Sequence, residues 1–429
     1  MLESTRRQVL GAGLASFLTA PLLADDAKPK VPAEPKKSEP VKKGDGDLPP
    51  FQPDTLMLTW QRDPTTTMTI QWVGTVGETA DPTITYRTAA EEKFTGSIVP
   101  TRKPYPMTDF KVFRAELTGL TPGTEYAFRI GTRSPVYKFR TMPAKATNTF
   151  SFISGGDCGH NPHTINNNIV AAKQDPMFAV IGGDLGYDNG RSVEVSLAFL
   201  RNYSKHMVTR DGLLIPMVTC IGNHEVNGGY GQTRDRAPFY YALFDGLYPE
   251  TGYATLDFGD YLSLILLDTG HTTPVAGEQT AWLEKVLKER RGHPHVIPVG
   301  HVPSYPTARK MFTDDGKPAT GGESRKHWVP LFEKYGISVV LEHHDHTFKR
   351  TKPLLNGLPN EKGVIYLGDG SWGRLRAAQP PEKLGHLAAL SETYHLSLHR
   401  LQGEERFHLA LDEFGKVMDL IRTGQRVGT

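Results

Sequence analysis

Asp157, Asp184 with Tyr187 three residues on, Asn223-His224-Glu225, His301 and His343-His344-Asp345-His346 each stand just behind a run of apolar residues. Their side chains are oxygen and imidazole donors, a set that suits a pair of metal ions. Hard cations take carboxylate and phenolate oxygen, and borderline ions such as iron and zinc take imidazole. Two cations about 3.5 to 4 Å apart clamp phosphate oxygens, polarise the phosphorus and acidify a shared water until hydroxide is available near neutral pH. The implied chemistry is two-metal hydrolysis. One carboxylate has to bridge the pair, and Asp184 is the natural bridge, because its block lies between the others and also supplies Tyr187.

The apolar runs that precede these blocks read as strands. The run from Phe150 delivers Asp157 and the segment FAVIGG delivers Asp184. Residues 215–221 lead into Asn223, 296–299 into His301, and a run from Ile337 into the last block. In open α/β sheets ligands gather at the carboxyl ends of strands, so five such ends are predicted to converge. Singly, each residue has an ordinary structural use: an Asp behind a strand caps a helix or a turn, and a lone loop histidine carries no chemistry. The inference rests on five blocks in order, of which Gly222-Asn223-His224-Glu225 is the most specific.

In this order the blocks resemble the purple acid phosphatase branch of the calcineurin-like metallophosphoesterases, from about Pro53 to the region of Asp419. The resemblance implies a first metal held by Asp157, Asp184, Tyr187 and His346, and a second held by Asp184, Asn223, His301 and His344. Most other branches place a histidine two residues after the first Asp; here Gly159 stands there, and Tyr187 takes over as donor. An anionic phenolate stabilises ferric iron, so the implied cofactors are Fe(III) plus a second divalent metal, Zn, Fe or Mn.

This chain departs from the family pattern in two places. His343 replaces the expected glycine of the last block, which leaves two registers open; His344 with His346 sets Phe348 and Arg350 where the family has an aromatic and an arginine. The stretch from His301 to Lys310 also lacks the downstream histidines that plant and animal members use on phosphate. His224 is therefore the leading proton donor, beside a ligand and of a type that titrates near neutrality. His160 is the runner-up and reads equally well as a loop residue. Asn223, His224 and Arg309 are the substrate-binding candidates. The expected reaction is in-line attack of a hydroxide generated at the metal pair on a phosphate monoester, without a phosphoenzyme and with an acid-shifted optimum. Two rival readings stand beside it: a phosphodiesterase or nucleotide pyrophosphatase using the same centre, and a surface-binding module with an inert phosphoesterase half.

The rest of the chain is organised around this catalytic part. Its 429 residues carry a formal net charge of only +2, in which nothing implies nucleic acid; the expected partners, from the site, are small-molecule phosphate esters, and oligomeric state is not legible. Cys158 and Cys220 make no disulfide framework and read as free buried thiols. Residues 1–24 read as a twin-arginine-type signal, with Arg6-Arg7 ahead of a moderately apolar stretch too short for a span of about 20 residues. Export to the periplasm or the cell exterior follows, with no stable membrane span after signal removal. Residues 25–50 form a Lys/Pro-rich linker with too little apolar content to fold.

Residues 51–143 read as a β-sandwich similar to fibronectin type III domains. Short segments such as TMTIQW, KVFRAEL and EYAFRI alternate with turn-formers, and Tyr126 sits where a tyrosine corner belongs. Trp60 and Trp72 read as core. Residues 144–429 alternate strand and helix, with helical stripes over 278–291 and 324–335, a hairpin over 253–267 and closing strands from 395 onward. The expected fold class is multidomain: the sandwich, then an α/β four-layer metallophosphoesterase sandwich of two sheets flanked by helices.

Overall fold

A computed structural model describes residues 51–76, 81–146 and 149–424, so the signal and linker expectations fall outside the described residues. The N-terminal part contains β1 (Met57–Thr59), β2 (Met68–Val73), β3 (Ile84–Thr88), β4 (Gly96–Ile98), β5 (Thr101–Pro104), β6 (Lys111–Leu117), β7 (Glu125–Ile130) and β8 (Tyr137–Arg140). They form two antiparallel sheets, in the orders β1-β2-β6-β5 and β4-β3-β7-β8. Trp72 stacks on Phe113 with centroids 4.9 Å apart, which makes it the predicted core residue. The Thr121 amide donates to the Tyr126 hydroxyl at 2.8 Å and closes the tyrosine corner. Strands β4 and β5 carry too few apolar residues to be marked by pattern alone.

The sandwich is fastened to the rest of the chain by its own side chains. Trp60 meets Phe178 and Phe258 edge-on at 5.9 and 5.8 Å, and Tyr105 hydrogen-bonds Ser196 at 2.8 Å.

The larger part runs β9 (Phe150–Gly155), α1 (Pro162–Lys173), β10 (Ala179–Ile181), α2 (Val193–His206), β11 (Met217–Thr219), α3 (Pro238–Phe244), β12 (Ala254–Phe258), β13 (Leu262–Leu267), α4 (Glu278–Glu289) and β14 (His295–Gly300). It continues through α5 (Gly322–His327), α6 (Val329–Lys334), β15 (Val339–Glu342), β16 (Phe348–Thr351), β17 (Leu354–Leu355), β18 (Leu358–Pro359) and β19 (Ile365–Asp369), and ends with β20 (Leu387–Ser391), β21 (His395–Gln402), β22 (Glu405–Asp412) and β23 (Val417–Thr423).

Two sheets result, ordered β11-β10-β9-β21-β22-β23 and β12-β13-β14-β15-β19-β16-β20. The strands that precede the chemistry-bearing blocks pair in parallel, β9 to β11 in one sheet and β13 to β15 in the other. Such strands are covered on both faces and read as continuous apolar runs. In β13 the alternation shows what covers each face. Leu264 and Leu266 share a core with Phe258 of β12, which reaches Phe152 of β9 through Phe178, while Ile265 and Leu267 meet Leu283 and Val286 of α4 and Phe332 of α6. On the far side α1 packs on α2 and β21. The expected four layers are observed. Within them, the single helix expected over 324–335 is two, α5 and α6, meeting at Trp328. Pro330, in the first turn of α6, has no N–H to continue the earlier helix. Among the described residues no helix is long and apolar enough to cross a membrane.

Candidate metal centre

The five blocks lie at carboxyl ends of parallel strands: Asp157 behind β9, Asp184 behind β10, Asn223 behind β11, His301 behind β14, and His344 with His346 behind β15. Three come from one sheet and two from the other, so the site straddles the edges of both. One oxygen or nitrogen from each of Asp157, Asp184, His301 and His344 lies within 4.8 Å of all the others, and all four residues are buried.

Direct contacts extend this cluster to the remaining candidates. Asp157 Oδ1 lies 3.0 Å from His346 Nε2 and accepts from the Tyr187 hydroxyl at 3.2 Å. His301 Nε2 lies 3.1 Å from Asn223 Oδ1, 3.0 Å from His344 Nδ1 and 3.3 Å from Asp184 Oδ1. The His301 Nδ1–H donates to the Gly182 carbonyl at 2.8 Å, which turns Nε2 toward the cluster. The structure thus brings together all seven residues named as metal ligands, with Asp184 between the two groups.

The loops that hold them are bent into sparsely populated backbone conformations. Asp157 has φ 60°, Asp184 53°, Tyr187 68°, His344 73° and His346 57°, all in the left-handed region that costs about 1–3 kcal/mol for a residue with a side chain. Cross-links between blocks hold this geometry. Asp157 Oδ2 accepts the His344 amide at 2.8 Å, and Asp184 Oδ1 accepts the His224 amide at 2.8 Å. Glu225 is buried and accepts from the amides of Asp184, Leu185 and Gly222 at 2.8, 2.7 and 2.8 Å, fixing the turn that aims Asp184. Glu225 is therefore a positioning residue.

His343 sits below this layer. Its Nδ1 bonds the Gly300 carbonyl at 2.9 Å, and its ring lies so close to Gly182 that a Cβ there would come within 1.9 Å. A bulky residue replaces the expected glycine because Gly182, just behind β10 in the other sheet, leaves room for it.

Other candidates stand differently. His224 lies against Tyr187 with ring centroids 4.3 Å apart and planes tilted by 35°, pairs through Nδ1 with Asn189 Oδ1 and places Nε2 3.9 Å from Asp184 Oδ2. Arg309 lies at the cluster's edge, but its Nη1 is engaged by Asp345 Oδ1 at 2.7 Å and by the His344 carbonyl. His160 is exposed at the approach to α1 and is not brought to the cluster; its carbonyl accepts from Asn202 at 3.1 Å. Cys158 and Cys220 are free and buried, as expected, and burial pushes both thiols up.

Two features escape the motif reading. Tyr230 donates to Asn223 Oδ1 at 3.4 Å and bonds His344 Nε2 at 3.1 Å, with no local pattern to mark it. A sixth strand end also reaches the site: behind β19, the amides of Trp372 and Gly373 donate to the carbonyls of Gly156 and Asp157 at 3.2 and 3.1 Å. Its signal was present, since Ile365-Tyr366-Leu367 followed by Gly368-Asp369 repeats the pattern of an apolar run before Gly-Asp.

The donor set fits metal ions. Asp184 Oδ2 is buried without a hydrogen-bond partner, and two imidazole nitrogens face each other 3.0 Å apart. In the protein alone, burial would raise the Asp184 carboxyl, but His301 outweighs it and holds that group far below the carboxylate range. Burial likewise lowers His301, yet Asp184 draws it up to about 9. Burial, then the nearby Asp157 and Asp184, push the Tyr187 phenol well up, and burial with neighbouring cations pushes His344 down. Asp184 is held ionised by the imidazoles around it, a role that cations fill.

Residues 53–141 match the family described as purple acid phosphatase, N-terminal domain, and residues 156–348 match the calcineurin-like phosphoesterase family. Purple acid phosphatase 21 of Arabidopsis thaliana is 26% identical over 273 residues, covering 61% of this chain and 58% of the relative. Acid phosphatase type 7 of Homo sapiens is 24% identical over 341 residues, 72% of this chain and 76% of the relative. The chain thus spans less than two thirds of the Arabidopsis relative. Among solved structures, purple acid phosphatase PPD1 of yellow lupin (Lupinus luteus) superposes with a TM-score of 0.66 at 16% identity, over 86% of this chain and 74% of that one, and has the same fold.

Proposed function

Because the chain belongs to the purple acid phosphatase branch of the calcineurin-like phosphoesterases, we propose that it is an acid phosphatase hydrolysing phosphate monoesters at a centre of Fe(III) and a divalent ion. The observation that carries this reading is the meeting of Asp157, Asp184, His301 and His344 within 4.8 Å. Asp157, Tyr187 and His346 would hold one cation and Asn223, His301 and His344 the other, with Asp184 shared. Bound there, the pair supplies hydroxide near neutral pH and offsets charge on the phosphoryl oxygens.

The chain's own part is to orient and to move a proton. His224, steered by Asn189 and by the Tyr187 ring, presents Nε2 on the cluster's open side and gives its proton to the leaving alcohol. The Asn223 amide and Arg309 border the place where the ester's phosphate and alcohol sit. The Arg6-Arg7 segment supports export as part of the same proposal, and N-terminal sequencing of the processed protein checks it.

A second reading, cleavage of phosphodiesters or nucleotide pyrophosphates, draws on the two clefts that open onto the cluster. One of about 370 Å³ is lined by Tyr230, Arg309 and His344, and another of about 590 Å³ by Tyr187, Asn189 and His224. A phosphorus bearing two substituents has somewhere to put both. Metal-loaded protein assayed on p-nitrophenyl phosphate against bis-p-nitrophenyl phosphate and a dinucleotide pyrophosphate separates the readings. We expect the monoester to dominate at acidic pH, with a visible phenolate-to-iron absorption. Turnover confined to diesters would transfer the function to the second reading, and purified protein with neither metal nor hydrolysis would leave the binding-module reading.

A further inference from the structure

We infer that Arg374 is a phosphate-binding residue of this centre, carried to it by the sixth strand end: its guanidinium lies over Tyr187 and beside Gly159, with donors free to take an oxygen of the phosphoryl group. The inference rests on the phosphoesterase reading and deepens it. The loop that bears Arg374 is firmly held. Trp372 is fully buried and donates through its indole to Asn168 at 2.9 Å, and Asn161 and Asn167 each donate at 2.6 Å to the carbonyls of Gly373 and Trp372. Together with the bonds to Gly156 and Asp157, this fixes the Arg374 backbone against the loop of the first ligand. A long cationic side chain on so constrained a stem is aimed, not trailing in solvent.

What it is aimed at follows from its neighbours. The Arg374 Cζ stands 4.2 Å from the Tyr187 ring centroid, and His224 meets the same ring at 4.3 Å with the planes tilted by 35°, so the phenol is in contact with both groups. Gly159, at φ +67°, is where other branches carry a histidine; a Cβ built there would lie 3.3 Å from an Arg374 Nη2. A side chain at 159 would crowd the guanidinium, and the glycine leaves that approach clear. It occupies the Asp157, Tyr187 and His346 end of the cluster, opposite Arg309.

The two arginines differ in what they have left to offer. Arg309 is bound to the Asp345 carboxylate and the His344 carbonyl. Arg374 has no carboxylate partner among the described residues, and its Nε is buried without a hydrogen-bond partner. A guanidinium presents five N–H groups in a planar fork that matches phosphate geometry, and a buried donor left unmade is unfavourable. The Nε is out of an arriving anion's reach, but the two Nη groups are neither buried nor hydrogen-bonded among the described residues, and these are the donors a phosphate oxygen would meet. Arg309 and Arg374 then divide the work: the first braces the His344 loop, the second binds the charge of the substrate.

Metal-loaded full-length protein, Arg374→Gln and Arg374→Lys are compared for affinity toward inorganic phosphate by titration calorimetry, for KM and kcat on p-nitrophenyl phosphate, and for metal content. We expect Arg374→Gln to weaken phosphate and raise KM by about tenfold or more, with metal content unchanged and kcat less affected, because a charge-assisted contact is removed. Arg374→Lys, which keeps the charge but not the fork, should fall between. Phosphate binding by Arg374→Gln within about twofold of the unaltered protein overturns the inference. Modification of the unaltered protein by phenylglyoxal, read by mass spectrometry, needs no variant: phosphate should protect Arg374, and equal labelling with and without phosphate counts against the inference. Unaltered, metal-loaded protein that neither binds phosphate nor cleaves esters would instead overturn the phosphatase reading beneath it.

Discussion

The N-terminal sandwich and the strand-end rim of the larger part are built from the same element, a short apolar strand, and treat its end in opposite ways. In the sandwich, strands turn through glycines and close on aromatic contacts; among its described residues Met107 is the one non-glycine residue with a positive φ. At the rim, Asp157, Asp184, Tyr187, His344 and His346 all adopt that conformation. Histidine divides the same way. All 16 lie beyond residue 143. Backbone strain gathers at the rim and histidine is confined to the larger part, while the sandwich is left to pack. Strained non-glycine residues that persist at one place point to function because the surrounding contacts must over-determine them.

Replacing Asp184 by Ala tests this division hardest. Loss of the shared carboxylate should reduce phosphatase activity by more than about 10³-fold and bring metal stoichiometry below two per chain. Metal analysis beside a p-nitrophenyl phosphate assay checks it, and near-normal turnover would erase the distinction between rim and sandwich. Glu225→Gln comes next. A neutral amide cannot accept from three backbone N–H groups as a carboxylate does, so metal affinity or activity should fall about 10- to 100-fold, measured by metal-buffer titration.

Tyr126→Phe probes the other side of the comparison. It deletes the acceptor for the Thr121 amide and should lower stability by about 1 kcal/mol in urea unfolding while kcat stays unchanged. The smallest effect concerns pH. His295 is buried, donates through Nε2 to the Gly403 carbonyl, and is pushed down to about 4 by burial and by Arg406. The unfolded chain therefore binds the extra proton more readily between about 4 and 6.5, so stability is full above that window and declines as pH falls through it, by less than about 1.4 kcal/mol per unit for one proton. Unfolding curves at pH 7 and 5 should differ less in His295→Gln than in the unaltered protein, and an identical slope would clear His295.

The sequence was most legible where one rule acts locally. Buried parallel strands are continuous apolar runs, so β9, β10, β14 and β15 and the donors behind them stand out. Tyr126 was readable because its corner is a local motif. The histidine register of the last block was legible through Phe348 and Arg350, whereas the position of His343 depends on Gly182, more than 150 residues away, and no local pattern reports that. Pro330 should have divided the helix over 324–335; its apolar stripe continues across the break and hid it. Arg374 and Tyr230 belong to no ligand block: one stands five residues beyond β19, whose Gly-Asp ending carries the signal but no donor pattern that points to the arginine, and the other lies on a loop with no periodicity. Arg309 is marked by its place in the stretch after His301, and only its contact with Asp345 shows that it is engaged.

Strand β9 lies between β10 and β21, with Ser154 opposite Ser397. The stretch leading to Asp157 therefore lacks one of its two lateral neighbours until a segment some 240 residues later has been synthesised and folded back. Such a distant pairing is slow to form. Maturation should be a late event on the ribosome or after release, with cations captured by an almost finished polypeptide. Interrupting β21 would then leave every metal donor in the chain and still yield a protein that does not hold its metals.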